Sequence, residues 1–203
     1  MKTLGSRKVE HFLAQFHDIA PDHLAAYAGR LKQITRRGFP VGVGAGRGTP
    51  AEYDADQLFQ LVAAMELTQF GVMPLRAIRL VSEAWPRLRD AVLEVWLVVD
   101  AASRGFVIDR PAIFWRVEVE ALRHMARPDR PYSPDTEDTL DAMSADGAHA
   151  ALDRRGYGNR RHAFIAADQV IHDALTKLGI ELGGHNALAG FMQRVVPAPS
   201  IQV

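Results

Sequence analysis

Between residues 23 and 51 the chain carries five basic side chains, Arg30, Lys32, Arg36, Arg37 and Arg47, and no acidic one. Cations clustered in this way bind phosphate, and their neighbours widen the chemistry. Arginine can grip guanine with two parallel hydrogen bonds, and glutamine, here Gln33, matches adenine. His23 and Tyr27 can bond phosphate oxygens. Just downstream, residues 39–49 read FPVGVGAGRGT, with glycine at 42, 44, 46 and 48 around Arg47. Backbone N–H groups of such a loop can cradle phosphate. The dinucleotide fingerprint and the Walker pattern are both missing, because no Lys-Ser/Thr follows and no strand pattern precedes. A two-stranded hairpin with a glycine tip explains the alternation as well, and it would carry Arg47 to a phosphate or into a minor groove.

Other chemistry finds little support. None of the eight histidines forms His-x-x-x-His, and there is no cysteine, so thiolate metal sites, disulfides and thiol redox sensing are excluded. No Gly-x-Ser-x-Gly elbow occurs. Glu118 and Glu120 would share one strand face that is normally solvated. No enzymatic activity and no cofactor are expected.

The elements that must position the basic residues begin with a short amphipathic helix over residues 7–16, with Val9, Phe12, Leu13 and Phe16 on one face. Four linking residues, 17–20, lead to Pro21 and Asp22, which start a second helix running to Arg37. Gly38 and Pro40 stop it. With Leu24, Leu31 and Ile34 packed inward, His23, Tyr27, Arg30, Gln33 and Arg37 are expected on the outward surface. Arg30, Gln33 and Arg37 would lie near the groove, and Lys32 and Arg36 on the DNA backbone. A tight two-helix turn followed by a basic hairpin is what a winged helix-turn-helix presents to DNA. Residues 53–85 then read as two more helices: Leu58, Leu61, Val62, Met65 and Phe70 form one apolar stripe, capped by Asp54 or Asp56. Gly71 ends that helix, and Pro74 opens the next.

This order of parts is similar to MerR-type winged helix-turn-helix regulators. The resemblance rests on Gly38-Phe39-Pro40 after the second helix, Arg47 and Tyr53 in the wing, and Gly71-Val72-x-Pro74 between the paired helices. It covers about 80 residues. No long heptad helix follows for an antiparallel coiled coil, and the sensing cysteines of some members are missing. The resemblance implies a sequence-specific regulator that binds double-stranded DNA as a homodimer.

After Trp85-Pro86 the character changes. Residues 93–99 (LEVWLVV) and 105–109 (GFVID) are rich in β-branched side chains, although residues 89–102 fit a buried helix equally well. Residues 113–122 alternate as a strand does, Phe114, Arg116, Glu118 and Glu120 against Trp115, Val117, Val119 and Ala121. Trp96 and Trp115 indicate a second core. Residues 126–139 read as an exposed loop, 139–152 as an acidic helix and 153–162, with four arginines, as a loop. Residues 164–182 read as a helix, and 187–196 as a last short one.

The chain has 203 residues and a formal net charge of zero, yet residues 1–53 hold eight Lys/Arg against four Asp/Glu. The N-terminus lacks the apolar run of a signal peptide, and no window is apolar enough to span a membrane. The expected fold is α+β, mainly α. A winged helix-turn-helix DNA-binding domain at residues 1–86 precedes a mixed α/β domain at 87–203 that dimerises or meets an effector or protein partner. The protein is expected in the cytoplasm, on the nucleoid when bound to DNA. The alternative is a protein-interaction adaptor or antagonist that keeps the winged shape without binding DNA.

Overall fold

The computed structural model describes residues 3–43, 50–118, 139–153, 162–193 and 195. The described chain is mainly helical, with two small antiparallel sheets. Strand β1 (Leu4–Gly5) leads into α1 (Ser6–Phe16), a single 3-10 turn (Pro21–His23) and α2 (Leu24–Thr35). Strand β2 (Glu52–Tyr53) returns to pair with β1, Leu4 opposite Tyr53. Two helices follow, α3 (Ala55–Gln69) and α4 (Pro74–Ser103), then β3 (Ile113–Glu118), β4 (Leu140–Ser144), α5 (Ala145–Asp153), β5 (His162–Ala166), α6 (Ala167–Leu182) and α7 (His185–Met192).

Local chemistry sets these boundaries. Asp54 caps α3: its carboxylate accepts from the Gln57 N–H at 3.0 Å while the Gln57 side chain accepts from the Asp54 N–H at 3.0 Å. Gly71, left-handed at φ 78°, closes the same helix, with the Val72 N–H reaching back to the Leu67 carbonyl.

Helix α4 answers the open choice over residues 89–102 in favour of helix. It runs unbroken for 30 residues with Pro86 inside it, so the boundary expected after residue 86 falls within one element. An internal proline deletes one helical hydrogen bond and costs about 3 kcal/mol in an isolated helix. Here Pro86 and the Ser82 carbonyl region it frees lie on the exposed side. The buried side, Ala77, Leu80, Val81, Ala84, Leu88, Ala91, Val92 and Val95, keeps helical spacing straight through. Packing on both sides of the proline outweighs the lost bond.

In the three-stranded sheet β3 is central, with β4 and β5 antiparallel on either edge. The alternation expected of β3 holds: Ile113, Trp115 and Val117 are buried, and Trp115 sits opposite Ala142 and Ile165. Two helical expectations were too long. Residues 140–144 and 162–166 are strands, because β3 offers both of its edges for pairing and local helical pattern yields to that. Residues 105–109 are not part of a strand, and the last helix begins at His185, just after left-handed Gly183 and Gly184. The loop expectations for 126–138 and 154–161 lie outside the described residues, as does Glu120. A single apolar cluster extends from Leu4 to Val195, with α4 and α6 packed together at its centre.

Candidate nucleic-acid interface

The turn between α1 and α2 is built by the end of α1. The Ile19 N–H bonds the Ala14 carbonyl at 2.9 Å and the Asp18 N–H bonds Gln15 at 3.2 Å, the Schellman pattern. The left-handed residue that this closure requires is Asp18, at φ 52°, where glycine is the usual occupant. Lys177, reaching across from α6, completes the end: its Nζ donates to the Gln15 and Phe16 carbonyls at 3.2 and 3.3 Å and lies 5.7 Å over the Phe16 ring. Cations at a helix C-terminus are favoured by the helix dipole.

Helix α2 then buries Tyr27, Ala28, Leu31 and Ile34 against the core. Two expectations are corrected. Tyr27 is only 7% exposed and cannot face a ligand. Its hydroxyl lies 2.8 Å from His17 Nδ1, and burial first, with the Glu66 carboxylate second, pushes it well above the ordinary tyrosine range. Leu24 shares Tyr27's side of the helix but is 45% exposed, because helical side chains tilt toward the N-terminus and this one overhangs the first turn. The inward position therefore passed from Leu24 to Tyr27, whose length reaches His17. His17 in turn has Nε2 3.2 Å from Glu66 Oε1 and Nδ1 2.8 Å from the Leu13 carbonyl, so one buried polar group ties α1, α2 and α3 together.

What remains outward is coherent. His23, Ala25, Ala26, Gly29, Arg30, Lys32, Gln33, Arg36 and Arg37 are all exposed, and those within α2, at about 100° per residue, occupy nearly half the helix circumference. The helix ends at Thr35, short of the expected Arg37, so Arg36 and Arg37 stand in its cap and the following turn. Arg30, Lys32, Arg36 and Arg37 form no side-chain ion pair or hydrogen bond with a described residue. Among the described residues His23 meets only Asp22, at 3.9 Å and in solvent. Ala25, Ala26 and Gly29 were not singled out from the sequence. The available signal was a glycine in the middle of an otherwise regular helix.

The glycine-rich segment leaves α2 through left-handed Gly38 and buried Phe39, and Val43 N–H bonds the Pro40 carbonyl in a turn, so residues 39–43 do not form the first strand of a hairpin. The strand that β2 pairs with is β1 instead. Both arms are nonetheless tied down. Gln57 Nε2 donates to the Val41 carbonyl at 3.2 Å, and on the return side Ser6 Oγ donates to Ala51 O at 3.4 Å and Thr3 Oγ1 to Glu52 at 2.7 Å. Tyr53 is buried there, which raises its hydroxyl pKa against a smaller lowering by a hydrogen bond to Ser6. Arg47, with residues 44–49, lies outside the described residues.

Elsewhere Asp100, Ser103 and His185 assemble the residue types of a hydrolytic triad. Ser103 Oγ and Asp100 Oδ1 both approach the same ring nitrogen, Nε2, at 2.9 Å each. A relay needs the carboxylate on one nitrogen and the hydroxyl on the other. With Trp96 stacked on the imidazole at 5.5 Å and Arg104 also on Asp100, the cluster fastens α7 to the end of α4. Among the described residues no group of three His, Asp or Glu could hold a metal ion, and no helix is long and apolar enough to cross a membrane. No family model and no curated protein sequence matches this chain.

Proposed function

We propose that the protein is a sequence-specific transcriptional regulator that binds double-stranded DNA as a homodimer. Its DNA-binding part, built from α1 to α3 and the first half of α4, resembles the MerR type, with α2 as the recognition helix and the glycine-rich segment, which leaves α2 as a loop, in the place of the wing. One observation carries the reading: the exposed half of α2 and the turn that follows it gather Arg30, Lys32, Arg36 and Arg37, with no described acid neutralising any of them. Holding four unpaired cations together is electrostatically unfavourable in the free protein, and a phosphate backbone relieves it. The short α1–α2 turn and the anchored base of the wing support the same reading. Dimerisation follows from the small reach of one recognition helix, which contacts only a few base pairs, and residues 87–203 supply it or receive an effector.

The test is fluorescence anisotropy with duplex DNA from upstream of the gene and with a mixed-sequence duplex, each over a range of salt concentrations. Binding that weakens linearly in log–log salt is expected. Replacing Arg36 and Arg37 by alanine should lower the slope by up to about two, because each phosphate contact releases close to one counterion. Binding that is indifferent to salt, or none to either duplex, would remove DNA as the partner.

A further inference from the structure

The exposed half of α2 is not uniformly basic; its charges lie toward its borders. With the helix rotating about 100° per residue, Lys32 and the C-cap Arg36 fall along one border of the exposed arc and Arg30 along the other, while His23 and Arg37 flank the helix at its two ends. Between the borders lie Ala26, Gly29 and Gln33. Gln33 is the one long side chain there, it is uncharged, and no described residue bonds its amide.

The dimensions suit this division. A helix with its side chains is about 10–12 Å across and the major groove of B-DNA about 12 Å wide, so a seated helix brings each border to one phosphate strand and its midline to the base edges. Cations at the borders fix position and carry no sequence information; a group on the midline reads sequence. Gly29 bears on how closely the midline can approach. A Cβ built there meets nothing within 4 Å and its φ is ordinary, so neither packing nor backbone geometry within the chain requires glycine. Mid-helix glycine is nevertheless unfavourable relative to alanine. Absence of a side chain at that point lets a partner surface come close, one turn from Gln33.

We infer that Gln33 is the specificity-determining side chain of this helix, reading the N6/N7 edge of a single adenine in the major groove, while Arg30, Arg37, Lys32 and Arg36 clamp the two phosphate strands. The half-site therefore holds one A·T pair fixed by Gln33, and the arginines contribute affinity without base preference. This rests on the DNA-binding reading above and narrows it to one reading atom group.

The experiment is selection of bound sequences from a random duplex pool by the full-length protein, followed by affinity measurement on the selected site and its single-base variants. Wild type should enrich a site with an invariant A·T pair. Gln33→Ala should flatten discrimination at that one pair, by roughly 5- to 100-fold, without lowering the salt slope, since the lost side chain carries no charge. Arg36→Ala should weaken binding to every sequence alike and reduce the salt slope by about one. Gly29→Leu should melt no lower than wild type yet bind the selected site at least tenfold more weakly. If wild type binds no DNA, the regulator reading falls and this inference with it. If wild type selects a site but Gln33→Ala selects the same one with the same base preferences, or Gly29→Leu binds it undiminished, DNA binding stands and the role given to Gln33 is wrong.

Discussion

The Tyr27→Phe substitution separates two pictures of α2 that the sequence alone leaves entangled. In the structure the Tyr27 ring is core, 7% exposed, and its hydroxyl lies 2.8 Å from the ring of His17, whose other nitrogen is 3.2 Å from Glu66. Phenylalanine keeps the ring volume and removes only the oxygen. The net loss is one part-buried hydrogen bond, about 1 kcal/mol, rising to about 2 kcal/mol if the imidazole finds no replacement partner. For a chain of this size 1 kcal/mol corresponds to about 2–4 °C, so a fall in Tm of roughly 2–8 °C is expected. Urea unfolding should show a lower midpoint at unchanged slope, since the surface exposed on unfolding is the same. A double-mutant cycle with His17→Ala should show the two losses overlapping by at least 0.5 kcal/mol, as expected for residues in contact. DNA affinity and its salt slope, measured well below the melting range, should match wild type. An unchanged Tm together with a reduced salt slope would mean that the hydroxyl points at phosphate, and the buried network described here would be wrong.

Three further outcomes follow from the same geometry. Asp18→Gly should be neutral to slightly stabilising, while Asp18→Val should cost roughly 1–2 kcal/mol because a β-branched residue resists φ 52°; thermal melts of the pair decide it. Lys177→Met should cost roughly 0.5–1 kcal/mol through the lost α1 cap and should speed amide exchange at the end of α1 more than elsewhere. Asp56, 3.2 Å from Arg89, is held above the ordinary aspartate range, by burial first and against the opposing pull of Arg89. A raised folded pKa means that the native state binds the proton more tightly, so this group's contribution to stability falls as pH rises from the ordinary aspartate value, 3.8, through the folded one. Asp56→Asn should remove that decline from a stability–pH profile, and a profile identical to wild type would show that the carboxyl is not desolvated.

How much of this could be read beforehand depended on whether the information was local. An aspartate before an apolar run, Asp54 or Asp56, announces a capped helix, and Gly71 its end, because capping is decided within one turn; the choice of Asp54 comes from its reciprocal bonds with Gln57. The strict alternation of Trp115 and Val117 against Phe114 and Arg116 likewise marked β3. Residues 140–144 and 164–166 were misread as helix because strand identity there comes from a partner, β3, that lies distant in sequence. Pro86 misled for a related reason: a breaker in isolation, it is outvoted by apolar packing that continues on both sides. Within the candidate interface the basic residues were visible from composition. Tyr27 was not, because a phenol suits both a phosphate and a buried imidazole, and only the placement of His17 and Glu66 decides between them. Lys177 gave no signal at all, being one lysine on a distant helix.

The unbroken span of α4 has a mechanical consequence. Its first half lies against α3, and the helix touches α2 as well as α6, α7 and β4, so the two ends of the molecule are joined by a rod and not by a hinge. A displacement imposed on the C-terminal half would meet a continuous helix that also touches α2, with no loop between them to absorb it. For the same reason the N-terminal half has no natural cut point after residue 86. Severing the chain there would split the rod and leave each fragment with half of an apolar seam facing water.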